Sequence, residues 1–271
     1  MTNLLHKTKS RVRSVLQRYG VLLTHYPLQN CLRLLSPTTI LDVGANVGQY
    51  GVELRSLGFR GQIHSFEPFP PAFNSLRELA AKSRPLSAWH CHNFGLGEKE
   101  GEAAMWVTRQ SEFNSLNEPL PQSAELHSGI VANKSVVVKI RTLDLVWQEL
   151  NFSSERVFLK MDTQGYELPI LQGGKLAIEK IVGIQLEVSL TPLYTGQPCI
   201  EEVVPFLRER GFQIFGVWPG SGIRGKGNQV FECDFIFIKT RISSSFFAGV
   251  YGLLKQPRAS HGSVQHHYNL L

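Results

Sequence analysis

The sequence has no long apolar run and no clustered cysteines, and each absence narrows the classes of protein to consider. No stretch approaches the roughly 20 apolar residues that a membrane-spanning helix needs, and the N-terminus lacks the apolar core of a secretory signal peptide. We therefore expect a cytoplasmic protein. Because no C-x-x-C pair is present, a zinc site or disulfide framework is not indicated, and free thiols are expected. The dispersed cysteines are Cys31, Cys91, Cys199 and Cys233.

Acidic residues are missing from the start of the N-terminal arm, which we place at residues 1–37 and expect to be helical. The arm accounts for most of the net charge of +6. Such a segment suits contact with a membrane surface, a nucleic acid or an acidic partner, or it is a solvated helix face. A domain over 38–240 and a polar, histidine-containing tail over 241–271 follow. The basic side chains of the arm's beginning are Lys7, Lys9, Arg11, Arg13 and Arg18.

Strand-like and helix-like segments alternate through the region 38–240. This alternation predicts a mainly parallel sheet with helices on both faces. The last two strands are joined by a glycine-rich connection too short for a helical crossover, so we expect them to be antiparallel. A single helix is predicted over 167–180, and an irregular loop over 111–129. The predicted strands are 39–43, 62–66, 86–92, 157–161, 182–188, 212–218 and 233–239, with weaker stretches at 103–107 and 136–140.

The first predicted strand ends in a glycine-rich turn of the form D-x-G-x-N-x-G, which contains Asp42, Gly44, Asn46 and Gly48. Glycines there let a ligand approach the backbone closely. The turn is not the G-x-G-x-x-G fingerprint that holds a pyrophosphate at a helix N-terminus. S-adenosylmethionine has no phosphate. It presents an ammonium, which Asp42 can bind directly or through water, and a carboxylate, which the N–H groups of the turn can bind. The alternative is a tight strand-to-helix junction without a ligand.

An acidic residue, Glu67, ends the second predicted strand. A carboxylate at this position can bind both hydroxyls of a ribose. Because NAD and S-adenosylmethionine share an intact ribose, Glu67 supports an adenosine-containing ligand without choosing between them. Asn93 and Phe94 follow the third predicted strand, where the adenine ring is expected. Phe94 either stacks on that ring or packs in the core.

A second dense polar cluster follows the strand at 157–161 and begins with Asp162. Its carboxylate is expected at the same sheet edge as the glycine-rich turn, where it can orient a hydroxyl group and accept its proton. Gln164 and Glu187, the latter near the end of the next strand, are expected to assist. The alternative for Asp162 is a helix cap. Two carboxylates invite a divalent cation, but no third ligand is evident, so we expect no metal.

Taken together, these motifs resemble those of the FkbM-type methyltransferases. The resemblance covers about residues 38–240 and adds the segments 186–194 and 232–235 to the motifs above. It implies a class I methyltransferase Rossmann-like fold, with a mainly parallel seven-stranded sheet and a final antiparallel strand. It also implies S-adenosylmethionine as cofactor and methylation of a hydroxyl group on a carbohydrate or small-molecule natural product. Residues 111–115 would lie at the rim of the active site.

Other functions share part of this pattern. An NAD-dependent oxidoreductase would use an acid such as Glu67, but it needs the pyrophosphate-binding turn that the chain lacks. A non-catalytic S-adenosylmethionine-binding module would keep the fold, yet the presence of Asp42, Glu67 and Asp162 together argues against decay of the site. A nucleic-acid acceptor is not expected, because the sequence has no N-P-P-Y type motif for base amines.

Overall fold

The computed structural model describes residues 27–83, 89–152, 155–219 and 229–239. Most of the predicted N-terminal arm, most of the predicted glycine-rich connection and the tail 241–271 lie outside the described residues. Contact of the basic arm with a membrane surface therefore stays a prediction. No helix within the described ranges has the length and apolar character needed to span a bilayer.

Helices and strands alternate along the described chain. The helices are α1 (Pro27–Leu35), α2 (Gln49–Ser56), α3 (Pro70–Lys82), α4 (Pro121–Leu126), α5 (Leu143–Leu150), α6 (Glu167–Gln172), α7 (Lys175–Ile178) and α8 (Ile200–Glu209). The strands are β1 (Thr39–Val43), β2 (Gln62–Phe66), β3 (Trp89–His92), β4 (Gly95–Gly97), β5 (Gly101–Thr108), β6 (Ala132–Thr142), β7 (Val157–Met161), β8 (Gly183–Ser189), β9 (Phe212–Pro219) and β10 (Glu232–Lys239).

A seven-stranded sheet forms the centre of the fold, in the order β3-β2-β1-β7-β8-β10-β9. Strands β3, β2, β1, β7 and β8 pair in parallel, whereas β10 is antiparallel to both of its neighbours. This arrangement confirms the class I methyltransferase fold, including the antiparallel final strand. The chain leaves β1 toward β2 on one side, while β7 lies on the other side. The carboxyl ends of β1 and β7 therefore form the switch point of the sheet.

The central strands are nearly continuous apolar runs because both faces of the sheet are covered. Every residue of β1 and of β7 is buried. Successive side chains of β1 enter different layers of the core. Ile40 packs with Leu54 of α2 on one face, and Leu41 packs with Leu159 of β7 on the other.

Helix α1 belongs to the packed core, although the sequence places the start of the domain at residue 38. Leu28, Cys31 and Leu35 are each 0% exposed and contact the cluster that contains Ile40. Their spacing puts them on one face of the helix, as expected for an amphipathic helix on a sheet. The part of the predicted arm that is described is thus an integral layer of the fold.

A second sheet lies beside the central one and carries the loop that reaches the candidate site. Strand β6 pairs with β4 in parallel and with β5 in antiparallel orientation. The predicted stretches 103–107 and 136–140 lie within β5 and β6. The connection between them, predicted to be irregular, contains α4 and two short 3-10 turns.

The single helix predicted over 167–180 is wrong, because the structure has two short helices, α6 and α7, at this place. Gly173 lies between them, and a Cβ on it would collide with the carbonyl oxygen of Gly97. The carboxylate of Asp144 accepts the N–H of Leu176 at 2.9 Å and so caps α7. The adjacent glycines Gly173 and Gly174 already weaken a continuous helix at this place, and the tertiary contacts fix the geometry of the break.

Candidate active site

A cavity of about 350 Å³ opens at the switch point of the central sheet. Ligands of open α/β sheets bind at such points, and small-molecule sites typically measure about 300–1,000 Å³. The turn after β1, the ends of β2, β7 and β8, the start of β10 and part of the loop after β5 line this cavity. The glycine-rich turn and the second polar cluster of the sequence therefore meet in one space.

The turn after β1 brings bare backbone to the cavity at Gly44. This residue has a φ of +72°, in the left-handed region that favours glycine. A Cβ at this position would collide with the carbonyl oxygen of Asp162, which follows β7. The N–H of Gly44 donates to the carbonyl oxygen of Phe66 at 3.1 Å, which ties the turn to the end of β2. The close approach of three strand ends thus requires glycine here.

Glu67, directly after β2, lies in the cavity wall with only 5% of its surface exposed. Its carboxylate accepts the N–H of Asn46 at 2.8 Å and the N–H of Phe69 at 2.9 Å. Burial raises the pKa of Glu67 to about 7, although these two hydrogen bonds act to lower it. Because a carboxylate offers about four acceptor positions, Glu67 keeps capacity for hydroxyl donors of a ligand.

Asn46 carries a buried polar atom that lacks a partner. Its Oδ1 accepts the hydroxyl of Ser111 at 3.0 Å, but its Nδ2 is buried and has no hydrogen-bond partner among the described residues. An unpaired buried donor costs about 1–3 kcal/mol. Since Asn46 lines the cavity, a ligand with an acceptor group such as a carboxylate would satisfy this atom.

Asp42 lies beneath the cavity and is absent from its wall. It is 0% exposed, its carboxylate lies 3.0 Å from Nζ of Lys160, and it accepts the hydroxyl of Ser65 at 3.1 Å. Burial acts to lower the pKa of Lys160, but the carboxylates of Asp42 and Asp162 outweigh it and raise that pKa. The expectation that Asp42 binds a ligand ammonium directly or through water stays a prediction, and in the described residues the carboxylate of Asp42 is paired with Lys160.

Three other residues expected to bind the cofactor also lie outside the cavity wall. Gly48, with a φ of +99°, starts α2 and faces the side chains of α3. The amide of Asn93 donates to the carbonyl oxygen of Glu67 at 2.9 Å, so it holds the turn after β2. Phe94 packs on the ring of Phe66 with a centroid distance of 5.6 Å. Phe94 thus takes the core position, and not that of a ring stacked on a ligand in the cavity.

Two of the three expected catalytic residues line the cavity, and the third lies behind them. Asp162 and Glu187 are in the wall. Gln164 is buried and joins them, because its Nε2 donates to Oδ1 of Asp162 at 2.9 Å and to Oε2 of Glu187 at 3.2 Å. Its Oε1 accepts the hydroxyl of Tyr194 at 3.0 Å. Gln164 therefore positions the two carboxylates from the side away from the cavity.

The cavity also contains polar residues that the sequence did not single out as site residues. Gln185 of β8 and Asp234 of β10 both line it. The hydroxyl of Tyr50 donates to Oε1 of Gln185 at 2.9 Å, and the Gln185 side chain hydrogen-bonds to Asp234. Burial raises the pKa of Asp234 to about 6, and the carboxylate of Asp162 adds to this effect. The segment 232–235 of the family resemblance was the signal that contained Asp234.

The loop after β5 covers one side of the cavity, and hydrogen bonds join it to the segment that follows Asp162 and to Tyr194. The hydroxyl of Ser115 donates to the carbonyl oxygen of Gln164 at 2.7 Å. The single hydroxyl hydrogen of Tyr194 is shared between Oε1 of Gln164 at 3.0 Å and the carbonyl oxygen of Phe113 at 3.1 Å. The side chain of Asn117 donates to the carbonyl oxygen of Gly165 at 2.8 Å. Segment 111–115 thus lies at the rim of this cavity.

Candidate metal ligands do not assemble in the part of the chain that the structure describes. Within those ranges no three His, Cys, Asp or Glu side chains come together in a geometry that would hold a metal ion. The acidic side chains of the cavity are distributed over its wall and do not converge on one point. They are Glu53, Glu67, Glu112, Asp162, Glu187 and Asp234, and they face one basic side chain, Lys160.

We expect replacement of Glu187 by glutamine to stabilise the free protein, and more so at alkaline than at acidic pH. Burial, together with the carboxylates of Glu232 and Asp162, raises the pKa of Glu187 well above its ordinary value. The folded state therefore holds this proton more tightly than the unfolded chain, so stability is lost as pH rises through the folded pKa. The free energy of unfolding of the Glu187→Gln variant should exceed that of the wild type near pH ~8, and the difference should be smaller near pH ~5.

Urea unfolding at both pH values measures this difference. Comparing the variant with the wild type at each pH separates Glu187 from His64 and His92. Burial lowers the pKa of His64 to about 3 and that of His92 to about 4, which makes stability fall with decreasing pH. A stability gain that is equal at both pH values would contradict the raised pKa of Glu187.

Comparison with known proteins gives one family and a set of weaker likenesses. The model of the family described as "Methyltransferase FkbM domain" matches residues 42–214. The 2-O-methyltransferase NoeI from Sinorhizobium fredii is 25% identical over 197 residues, which cover 69% of this chain and 76% of NoeI.

Solved structures with a similar fold share little sequence with this chain. TehB from Haemophilus influenzae gives a TM-score of 0.43 at 9% identity, with 83% of this chain covered. The match covers 65% of the TehB chain, so this chain spans slightly less than two thirds of it. Magnesium protoporphyrin IX methyltransferase (ChlM) from Synechocystis PCC 6803, solved with bound SAM, gives 0.42 at 10% identity, with 86% of this chain and 97% of ChlM covered.

Proposed function

Because this chain belongs to the FkbM methyltransferase family, we propose that it methylates a hydroxyl group of a carbohydrate or small-molecule natural product. Membership of this family makes the chain an S-adenosylmethionine-dependent methyltransferase. The observation that carries the finer proposal is a single cavity whose wall includes both the Gly44 turn with Glu67 and the carboxylates of Asp162 and Glu187. The 2-O-methyltransferase NoeI, a relative at 25% identity, supports oxygen as the methylated atom.

The cofactor half of the cavity fits S-adenosylmethionine on three counts. Gly44 presents bare backbone to the cavity, because the carbonyl oxygen of Asp162 occupies the position of a Cβ, and Glu67 offers a carboxylate for ribose hydroxyls. The unpaired Nδ2 of Asn46 suits the carboxylate of the methionine part. The excess of acidic side chains in the wall also favours a ligand with a positively charged sulfonium. We therefore assign cofactor binding to Gly44, Asn46 and Glu67.

Asp42 and Gly48 serve the cofactor half indirectly in this proposal. The buried ion pair between Asp42 and Lys160 stabilises the structure beneath the Gly44 turn. Gly48 has no side chain and so allows α2 to begin close to the side chains of α3. Asn93 holds the turn that carries Glu67. Phe94, packed on Phe66 and 5.3 Å below the guanidinium of Arg141, supports the same wall from the core.

The acceptor half contains a carboxylate placed to receive a hydroxyl group. The side chain of Asp162 is 47% exposed, and its Oδ1 is held by Gln164. When bound, S-adenosylmethionine supplies an electrophilic methyl group and leaves as a neutral thioether. Asp162 would orient the acceptor hydroxyl toward that methyl group and take its proton as the new carbon–oxygen bond forms. Glu187, held by the same glutamine, would keep Asp162 and the acceptor in place.

The other functions considered from the sequence are not favoured. An oxidoreductase that uses NAD would need a pyrophosphate site at the turn after β1, and the family match does not support it. A non-catalytic binding module would not need two carboxylates, Asp162 and Glu187, that Gln164 holds in the wall of the cavity by hydrogen bonds.

The acceptor can be identified by following the methyl group. Purified protein is incubated with methyl-labelled S-adenosylmethionine and fractionated extract of its source organism, and labelled products are isolated and characterised. We expect a labelled methyl ether on a sugar or other hydroxyl compound of low molecular mass. Label found only on protein, nucleic acid or a nitrogen atom would contradict the proposal.

We expect Glu67→Gln to weaken cofactor binding by about 10- to 100-fold, the effect of one or two hydrogen bonds to a charged group. The amide would turn a donor toward the N–H of either Asn46 or Phe69 and would lose an acceptor for the ribose. Titration calorimetry with S-adenosylmethionine measures the affinity. Glu78→Gln, on the exposed face of α3, is the matched control for loss of one charge. Equal affinities in the two variants would exclude a ribose-binding role for Glu67.

A further inference from the structure

The wall of the acceptor half contains a pair of acidic side chains that face each other across two strands. Glu187 of β8 and Asp234 of β10 are direct partners in the antiparallel register. Side chains of directly opposed residues project from the same face of a sheet with Cβ atoms about 4.5–5.5 Å apart. Both of these side chains line the cavity. Asp162 lies at the adjacent end of β7 and completes an acidic surface on one side of the space.

Each member of the pair is held by its own glutamine and tyrosine. The Tyr194 hydroxyl fixes the amide of Gln164, whose Nε2 reaches Glu187 at 3.2 Å. On the other side, the hydroxyl of Tyr50 donates to the amide oxygen of Gln185 at 2.9 Å. That leaves the NH₂ group of Gln185 for its hydrogen bond to Asp234. Both carboxyl groups are thus oriented by amide donors, Glu187 by Gln164 from behind the cavity wall and Asp234 by Gln185 within that wall.

Basic side chains form no ion pair with Glu187 or Asp234 within the described ranges. Lys160 pairs with Asp42 at 3.0 Å and acts on Asp234 through its charge alone, which lowers the pKa of Asp234. The described residues also provide no geometry for a metal ion. Burial outweighs the charge of Lys160 and raises the pKa of both carboxyl groups, so the pair holds a proton more readily than free carboxylates do. Such a pair can both donate and accept hydrogen bonds, which is what a hydroxyl group requires of its site.

We propose that Glu187 and Asp234 form a second hydroxyl subsite beside Asp162, so that the acceptor presents two neighbouring hydroxyl groups. Asp162 receives the hydroxyl that is methylated, and the pair binds its neighbour, which is left unmodified. This inference rests on the proposed function, because it describes the acceptor of the same reaction. It narrows that acceptor to a vicinal diol, as found on a sugar ring, and gives Asp234 a role in selecting it.

Rigid six-membered rings test the subsite without knowledge of the natural acceptor. The full-length protein with S-adenosylmethionine is given trans-cyclohexane-1,2-diol, cyclohexanol or trans-2-aminocyclohexanol, and S-adenosylhomocysteine and methylated product are measured. We expect kcat/KM for the diol to exceed that for cyclohexanol by about tenfold, which corresponds to one well-made hydrogen bond. The diol should also exceed the amino alcohol, since the subsite is built for hydroxyl groups.

The Asp234→Asn variant then separates the subsite from the reaction itself. We expect KM for the diol to rise by about tenfold, so that kcat/KM for the diol, divided by kcat/KM for cyclohexanol, falls from about ten toward one. Glu78→Gln, the matched surface control, should leave the kinetics with both acceptors unchanged. Thermal unfolding of Asp234→Asn verifies that the variant is folded.

The possible failures point to different conclusions. Equal use of diol and cyclohexanol overturns the second subsite and leaves the proposed function standing, whereas preference for the amino alcohol shows a cation subsite instead. Methyl transfer to nitrogen alone overturns the proposed function and this inference with it. If no probe is methylated, saturation-transfer NMR on the protein loaded with S-adenosylhomocysteine decides. Binding of the diol no stronger than that of cyclohexanol then refutes the subsite.

Discussion

Asp162→Asn should lower kcat by about 100- to 10,000-fold, the range in which general acid–base groups contribute. Asparagine keeps the size of the side chain and can still accept the hydrogen bond from Gln164, but it cannot take a proton from the acceptor hydroxyl. Cofactor affinity should stay within about twofold of the wild type, because Asp162 lies in the acceptor half. Steady-state kinetics with the identified acceptor and calorimetry with S-adenosylmethionine measure the two quantities separately.

Asp144→Asn provides a matched control of the same chemical change outside the cavity. Asp144 caps α7 through the N–H of Leu176 at 2.9 Å, so its substitution should lower stability slightly and leave turnover intact. Turnover in Asp162→Asn that equals turnover in this control would remove Asp162 from the proton transfer. A loss of cofactor affinity instead of turnover would move Asp162 to the cofactor half.

Gly44→Ala should abolish cofactor binding and lower the free energy of unfolding by about 3–5 kcal/mol, a loss at the upper end of single substitutions. The φ of +72° is strained for alanine, and the new Cβ would collide with the carbonyl oxygen of Asp162. That oxygen belongs to backbone at the end of β7, so relief would require the two central strand ends to separate. Urea unfolding and titration calorimetry measure the two effects.

A Gly58→Ala control separates the cost of a left-handed backbone conformation from the cost of the steric collision at Gly44. Gly58 has a φ of +91°, but a Cβ there would meet nothing within 4 Å. The control should therefore lose only about 1–2 kcal/mol from the left-handed conformation and should bind the cofactor normally. If Gly44→Ala behaved like Gly58→Ala in both measurements, the close approach at the turn would not be what the cofactor site requires.

The central strands were predictable because both faces of the sheet are covered, which favours apolar residues along these strands. Strands β1 and β7 have the predicted bounds, since a strand covered on both faces reads as a short, mostly apolar run. Strand β2 also has the predicted bounds, which Gly61 before it and Glu67 and Pro68 after it mark. The helix break at Gly173 was missed, although the adjacent Gly173 and Gly174 are a local signal for it. Only the geometry of the break depends on distant contacts, namely those with the carbonyl oxygen of Gly97 and with the cap from Asp144.

The candidate site was predictable in its location but not in its detailed assignment. Parallel strands place their carboxyl ends at one edge, which is why Glu67 and Asp162 were expected in one place. The sequence could not tell that Asp42 points below the cavity, because that depends on the neighbouring Lys160 across the register of β1 and β7. The position of Asp234 depends on the antiparallel register of β10, which only the assembled sheet defines.

The proposed function is tested most directly by identifying the atom that receives the methyl group and by measuring whether the transfer requires Asp162. Protein, acceptor and S-adenosylmethionine with an isotope-labelled methyl group are combined, and the labelled carbon is identified by NMR, once with the wild type and once with Asp162→Asn. We expect a methyl ether signal from the wild type, and from the variant the same signal at a rate lower by at least about 100-fold. A labelled methyl group on nitrogen, sulfur or carbon, or an undiminished ether signal from the variant, would contradict the proposed function.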